Sequence, residues 1–419
     1  MKHDKKRTNT MTRDNGAGHG QRGAHAAPGN RLSLAERDRR WTALLTEMQR
    51  RGFDALVFVG ADSRGQKGAL RYVADYDLSG RYGYAVLAPG AEPVCILPRS
   101  MAGMPRSTWV EDSRFPLNTA SGLCEALKQL PSRERVGIVG RDAIMAIGEY
   151  EHLCAELPDT EFADASDLLD RVRAQKSEEE IRGLKESAWI ADQCHQRLLE
   201  IARPGMTERA LNTALVTVMA EHGGEDPIFL IMDERPGDGH SARYRVPRDE
   251  IVGTARLLMF SIELVGPTGY WVELSRMVAF AQPSDAQWRV HQNVASALEA
   301  GRAAMRPGAS LASVQEAIIN VTSKSNTQPG HWCGHSIGHD VIEAAWIGLG
   351  VVETAEPAGA DAPTHVAADM AFALHPHLVP DVDGPDANGP VGYMSNTYLV
   401  GDDRTEALSR HPLDLAILG

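Results

Sequence analysis

The sequence predicts a mixed α/β protein, with a small N-terminal α/β domain followed by a C-terminal domain of two pseudo-symmetric halves. Three observations carry this. The chain has 419 residues, 43% of them hydrophobic, enough for two sizeable cores. Short strand-like runs and helical stretches alternate through the first third, as in a layered α/β domain. Further on, Ala202-Arg203-Pro204-Gly205-Met206-Thr207 is echoed 103 residues later by Met305-Arg306-Pro307-Gly308-Ala309-Ser310. Each copy follows an apolar helix and precedes one that opens with Thr or Ser, the pattern of a duplicated α/β half.

Taken in order, residues 1–30 hold six Lys/Arg and two Asp with almost nothing apolar, so they lack the burial that would offset ordering and are expected to be disordered. Met11 offers an alternative start. Order is expected from Ser33, which makes a capping-box pattern with Glu36 ahead of a helical stripe of Trp41, Leu44, Leu45 and Met48, ended at Arg51-Gly52. Strands follow over 54–60, 82–89, 93–98 and 135–140, with a helix over 123–130. The N-terminal domain is assigned to 31–170 and a linker to 171–176, inside a C-terminal domain of 171–419. Ser177 and Glu180 repeat the capping box for a long helix with Ile181, Leu184, Ala188 and Ala191 inward, stopped by Pro204-Gly205. Next comes a hairpin, 256–265 and 270–280, around Gly266-Pro267-Thr268-Gly269. A second strand pair, 370–379 and 392–400, flanks the acidic stretch 381–388, read as a solvated loop, just as Glu178, Glu179 and Glu180 are read as a helix N-terminal turn.

The formal charge of -13 is uneven: the leader carries about +4 and the body about -17. An acidic body argues against nucleic acid as a partner. The leader lacks the roughly 7–15 apolar residues of a signal peptide, and no run of ~18 apolar residues occurs, so a cytoplasmic protein without membrane contact is expected. The five cysteines are an odd number with no CxxC spacing and are expected to be reduced and mostly buried; Cys333 is expected to pack rather than react.

Chemistry concentrates in His331-Trp332-Cys333-Gly334-His335-Ser336-Ile337-Gly338-His339. Together with Gln175-Lys176-Ser177-Glu178-Glu179-Glu180-Ile181 and the closing run Asn396-Thr397-Tyr398-Leu399-Val400, this block resembles the creatinase, aminopeptidase P and prolidase family over about residues 31–415. The resemblance implies a pita-bread fold, two helix-backed antiparallel sheets enclosing a central pocket. It also implies five pocket positions that bind metal in metal-dependent relatives, in the order Asp, Asp, His, Glu, Glu. Only the histidine, His335, is retained. Glu263 and Glu273 stand at the aspartate positions, and His375 and Ser395 at the glutamate positions.

Two buried carboxylates without a cation repel, and one titrates high, so Glu263 and Glu273 would supply a general acid or base. The alternative is a structural ion pair of one of them with Arg276 or Arg245. His335 faces the reaction in metal-dependent and metal-free relatives alike. His375 and His377 share a face if their strand is regular. The family's proton-transferring histidine falls on Arg245 when aligned on Pro247 and on His240 when a gap is allowed; both stay open. Ile342 stands where relatives carry a further histidine, and Glu343 follows it as in relatives. The expected catalytic set is therefore Glu263, Glu273, His335 and His375, with His240, Arg245, His377 and Glu343 as substrate contacts and Trp332 and Trp346 as pocket walls.

The resemblance then implies a creatinase-like, metal-independent hydrolase or lyase acting on a C–N bond of a small-molecule, polar substrate. Glu263 or Glu273 would activate water or take a proton, and His335 with His375 would protonate the leaving group or stabilise the anion. No cofactor is expected on that reading. Glu273, His335 and His375 form an alternative two-histidine, one-carboxylate set suited to a single Zn or non-haem Fe ion, the basis of the runner-up, a metal-dependent Xaa-Pro peptidase. Loss of four of five ligands also fits an inactive binding protein, but Glu, Glu and His in their place, rather than small or apolar residues, favour an enzyme. Creatinase-like relatives imply a homodimer in which one chain's N-terminal domain closes over the other's pocket, with Arg81, Tyr82 and Tyr84 as candidates to approach it.

Overall fold

The computed structural model describes residues 31–104, 107, 109–233, 245–253, 257–323, 327–329, 332–348, 363–380 and 390–418. The expected disordered leader, His240 and the acidic loop 381–388 lie outside these residues.

The N-terminal domain comprises α1 (Leu34–Arg50), β1 (Ala55–Ala61), α2 (Gly68–Ala74), β2 (Tyr82–Leu87), β3 (Val94–Ile96), β4 (Asp112–Arg114), α3 (Thr119–Lys128), β5 (Arg135–Val139), α4 (Ile147–Glu156), β6 (Glu161–Asp164) and α5 (Ser166–Arg173). Its strands run β4-β3-β2-β1-β5-β6, with β1 antiparallel to β2 and parallel to β5. β1 is buried along its whole length, which is why it reads as a continuous apolar run rather than an alternating one. Val57 and Val59 pack with Leu123, Leu127 and Leu153 of α3 and α4. Leu56 and Phe58 face the other way, joining Leu44 and Met48 of α1 and Leu168 of α5.

Ser33 caps α1 by accepting from the Glu36 N–H at 3.1 Å, but only half of the expected capping box forms. The Ser33 N–H donates to Glu179 at 2.7 Å, and the Glu36 carboxylate turns to Arg39 and to the fully buried Arg40, which needs a counter-charge. The predicted linker 171–176 is partly helical: α5 continues to Arg173 because Leu168, Leu169 and Arg173 are buried. The remaining connector already belongs to the C-terminal sheet, since the Lys176 N–H donates to Asp369 O at 2.8 Å and Gln175 bridges to Met370.

The C-terminal domain comprises α6 (Glu178–Ile201), α7 (Glu208–Glu221), β7 (Glu225–Asp233), β8 (Leu257–Val265), β9 (Trp271–Ala279), α8 (Asp285–Ala304), α9 (Leu311–Thr322), β10 (Thr327–Pro329), β11 (Trp332–Ser336), β12 (Glu343–Gly348), β13 (Ala371–Leu374), β14 (His377–Pro380), β15 (Gly392–Tyr393), β16 (Ser395–Val400), β17 (Thr405–Ala407) and β18 (Ala416–Ile417). Among the described residues the main sheet runs β12-β11-β13-β16-β9-β8-β7, while β10, β14 and β15 form a small separate sheet. The Ser177 capping box on α6 is complete, with both reciprocal bonds present.

The duplication is visible bond for bond. Gly205 and Gly308 both take positive φ, +89° and +86°, where only glycine is unstrained. The Gly205 N–H donates to Val252 O at 3.1 Å and the Gly308 N–H to Val366 O at 2.8 Å. Thr207 and Ser310 then cap α7 and α9 by accepting from Ala210 N–H and Ser313 N–H. One face of each half is backed by its helix pair. Leu184, Ala188, Leu211 and Leu215 cover Phe260, Ile262, Leu264 and Leu274 in the first, and Val294, Leu298, Val314 and Ile318 cover Phe372, Leu374 and Tyr398 in the second. Each such large aliphatic side chain contributes roughly 1.5–3 kcal/mol on burial. The fold is the pita-bread arrangement the sequence predicts.

One predicted strand differs. The run 370–379 is two strands in two sheets, with His375-Pro376 between them, because proline has no N–H to continue the ladder. His375 is therefore buried while His377 is half-buried in the smaller sheet.

Candidate active site

Strand register builds the site. On β8 and β9, Glu263 and Glu273 are direct cross-strand partners. Thr397 of β16 lies beside Glu273, its hydroxyl oxygen accepting the Glu273 N–H at 2.8 Å. Thr397 pairs with Ala373, Ala373 with His335, and His335 with Trp346, so one row crosses the sheet from Glu263 to Trp346. In the neighbouring row Ser261 pairs with Ser275 and Ser275 with Ser395. His375 extends this row, because it follows Leu374, the partner of Asn396. Residues two apart on a strand share a face, so both rows look out from the side opposite α6 and α7.

Four of the predicted residues thus come together. The His335 Nδ1–H donates to Ser336 O at 3.0 Å, which leaves the Nε2 lone pair directed at the site, 3.8 Å from Glu273 Oε2. The other Glu273 oxygen accepts from the Tyr393 hydroxyl at 2.7 Å. The Tyr393 ring stacks on His375 at 6.2 Å, and His375 lies 5.2 Å from His335 between ring centroids. Trp332 packs against both histidines at about 6 Å and meets Trp346 edge-on at 5.7 Å. Glu263 is half-buried, its carboxyl enclosed beside the buried Glu273, and accepts from the Ser261 hydroxyl at 3.0 Å. Neither carboxylate pairs with Arg276, which donates to the carbonyls of Ser275, Ser395, His411 and Pro412, or with Arg245, which pairs with Glu208.

The electrostatics follow from burial. Burial first, and then the neighbouring His375, hold His335 down to about 4, against the pull of Glu273. Burial and then His377 hold His375 down to about 3. Both imidazoles are neutral near pH 7. Burial, reinforced by the adjacent Glu273, pushes Glu263 well above the carboxylate range, with the Ser261 hydroxyl opposing. Glu263 therefore releases its proton less readily than a free carboxyl. Ser275 Oγ, Ser395 Oγ and Trp346 Nε1 are buried with no hydrogen-bond partner among the described residues, at a cost of roughly 1–3 kcal/mol each if left so.

A clamp of charged residues holds the loop that follows His335. Glu343 is buried between Lys176 at 3.0 Å and Arg173 at 3.2 Å, and its carboxylate accepts the His339 N–H at 2.9 Å. Burial alone would raise it, but Arg173 and Lys176 hold it below the usual carboxylate value. Arg173 also pairs with Asp340 at 2.7 Å, and Asp340 accepts the Gly68 N–H of the N-terminal domain. Arg40 reaches His339 Nε2 at 3.2 Å and the Tyr270 hydroxyl at 2.6 Å. The structure therefore places Glu343 in this clamp rather than among the residues of the two rows.

Of the other predicted residues, Arg245 lies beside the edge strand β7, bridged to Ile231 and paired with Glu208. Cys333 is buried and its thiol is pushed up to about 12, so it packs. Tyr84 does not reach the surface: it is fully buried, its hydroxyl on Glu149, leaving Arg81 and Tyr82 as the accessible members of that trio. Sequence reasoning missed Tyr393, Ser261 and Ser275. The two serines could have been found from the i±2 spacing to Glu263 and Glu273.

The donor set decides which ion would fit. Glu273, His335 and His375 are all buried and offer ligand atoms within 4.8 Å of one another, one carboxylate and two imidazoles, a set matched to a single Zn or Fe ion. Among the described residues a two-metal centre does not fit, because Ser395 presents a hydroxyl at the fifth position and Glu263 alone remains for a second ion. A further acidic group, Asp77, Glu225 and Asp226, is matched by Lys67 and Arg71 at the domain junction.

The comparisons with known proteins agree with this architecture. Metallopeptidase family M24 matches residues 182–402, and the creatinase/prolidase N-terminal domain matches residues 40–175. The uncharacterized hydrolase/peptidase y4tL of Sinorhizobium fredii is 26% identical over 409 residues, covering 92% of this chain and 97% of that protein. The uncharacterized peptidase YqhT of Bacillus subtilis is 28% identical over 224 residues, 51% of this chain and 63% of that protein, so the match spans less than two thirds of that relative. A solved Xaa-Pro dipeptidase from Bacillus anthracis superposes with a TM-score of 0.73 at 17% identity, covering 91% of this chain and all of that one, a likeness of fold. With its catalytic-domain match over more than half its length and the paired N-terminal domain ahead of it, this chain belongs to metallopeptidase family M24, a family of peptidase-type hydrolases.

Proposed function

We propose that the protein is a creatinase-like hydrolase that cleaves a C–N bond of a small polar molecule by acid/base catalysis, without a two-metal centre. The observation that carries this reading is the cross-strand pair Glu263–Glu273 with the neutral His335 imidazole 3.8 Å from Glu273. Such a pair pushes the proton affinities of its members apart, which is how one site supplies both an acid and a base at neutral pH. Glu263, whose proton is held tightly, donates to the departing nitrogen. The neutral imidazoles of His335 and His375 accept the proton of the attacking water. The roles expected from sequence are thus exchanged: burial keeps the histidines uncharged and leaves the transferable proton on the carboxyl pair. Tyr393 fixes Glu273, and Trp332 walls the histidines from one side.

A second reading is favoured by the convergence of Glu273, His335 and His375 within 4.8 Å: a single-metal Xaa-Pro peptidase. These residues would hold a Zn or Fe ion, which when bound would polarise the scissile carbonyl. Glu263 would remain the proton donor on either reading. The two separate in an assay of creatine, small N-acyl amino acids, ureas and Xaa-Pro dipeptides with excess chelator. Turnover of a non-peptide C–N substrate that survives chelation supports the first reading. Xaa-Pro cleavage that needs added metal would replace it with the second.

We further propose a homodimer and a cytoplasmic setting. No described helix is long and apolar enough to cross a membrane.

A further inference from the structure

We propose that Ser275 and Ser395 hold the hydrolytic water, taking over the positioning that a second metal ion would otherwise supply; this rests on the acid/base reading above. The two serines face each other directly across β9 and β16, and both are fully buried. Neither hydroxyl has a partner among the described residues. Directly opposed side chains in an antiparallel pair have Cβ atoms roughly 4.5–5.5 Å apart, a gap that one water spans with two hydrogen bonds of ordinary length. A buried water settles with about three polar partners, and the third is at hand. His375 continues the same row on the far side of Ser395, buried, with a ring nitrogen within 4.8 Å of a Glu273 oxygen. At the other end of the row the Ser261 hydroxyl is already committed to Glu263 at 3.0 Å, so the free pair is confined to Ser275 and Ser395.

Serine suits this task in a way the family's glutamate does not. A carboxylate at position 395 would add a third carboxyl group beside Glu263 and Glu273 and call for a cation; a hydroxyl orients a water without adding charge. The water then lies between a proton acceptor and a proton donor. Its O–H bond breaks and the proton passes to the His375 imidazole, while the oxygen electron pair forms the new bond to the substrate carbon. The C–N bond breaks as the nitrogen takes the proton of Glu263. Return of the proton from His375 to Glu263 restores the starting state, with one water consumed.

The test is a crystal structure of the full chain at about 1.5 Å, with Ser275→Ala/Ser395→Ala alongside. A single water within about 3.2 Å of both hydroxyls in the wild type, absent from the double variant while Glu273, His335 and His375 keep their places, is the expected result. Two outcomes overturn the proposal: hydroxyls bonded to each other or to main-chain carbonyls with no water between, or a metal ion in that position. Should the double variant not fold, the single variants Ser275→Thr and Ser395→Thr, which keep the hydroxyl, must retain the water, and its loss from both counts against the proposal. On any substrate turned over in chelator, Ser395→Ala should lower kcat at least about tenfold with KM unchanged, and Ser395→Thr should restore it. A water present without that loss in kcat refutes its hydrolytic role yet leaves the acid/base reading standing.

Discussion

Replacing Glu343 with glutamine separates a structural role from a substrate-binding one. The side chain is 2% exposed, within reach of two cations and two backbone N–H groups. Arg173 keeps Asp340 and Asp170, both at 2.7 Å, after the change. Among the described residues Lys176 keeps only the Arg173 carbonyl, at 2.6 Å. Removing one partner of a buried ion pair costs about 3–5 kcal/mol. The glutamine oxygen can still accept from His339 N–H, which retains about 1 kcal/mol, so the loss should fall near 3 kcal/mol. Urea unfolding of the wild type and Glu343→Gln measures it as a fall in midpoint at constant slope. Adding Lys176→Met removes the stranded charge, and the double variant should recover much of the stability, a coupling that independent sites would not show. A Glu343→Gln protein with unchanged stability and a raised KM would refute this reasoning and return Glu343 to the substrate.

His335→Ala and Glu273→Gln should each lower turnover about 10²–10⁴-fold with unfolding midpoints close to wild type, because the two side chains face the site rather than the helix-backed core; full activity in both, by initial rates, would dismiss the assignment. Light scattering at micromolar concentration should give a dimer mass, and a monomer would end the proposed domain closure over a partner's pocket. Asp75, 5% exposed, is pushed up to about 7 by burial against the Arg31 N–H bond, so its folded value lies above its unfolded 3.8. Its contribution is complete at low pH and is lost as pH rises from about 4 through 7. Asp75→Asn should therefore gain on the wild type in urea unfolding at pH 8, by up to about 4 kcal/mol, and equal pH slopes for the two proteins would contradict this.

Local pattern made much of the molecule legible. Ser177 with Glu180, the hairpin around Gly269 and the paired Pro-Gly corners each announce themselves within a few residues, because capping, turn and left-handed backbone requirements act over that range. The site was half legible: alignment on the histidine block placed Glu263, Glu273, His335 and His375, and register shows them converging. What stayed hidden depends on contacts between distant segments. Arg40 lies outside the predicted apolar stripe and Arg173 falls in the predicted linker, yet each is buried against partners more than 130 residues away, at Glu180 and Tyr270 for Arg40 and at Asp340 for Arg173. Tyr393 carries no motif, and its hydroxyl reaches Glu273 from β15, 120 residues away in sequence. His375 and His377 look like neighbours on one strand until Pro376 separates His375, just past the end of β13, from His377 in the smaller sheet.

The central claim, an M24-family site working by acid/base chemistry without a bound metal ion, is tested most directly by the metal content of the purified full chain, measured by mass spectrometry before and after dialysis against chelator. The account predicts well under one transition-metal ion per chain in both samples and an unchanged unfolding midpoint. One ion or more per chain, retained at Glu273, His335 and His375 and lost together with those side chains, would contradict it.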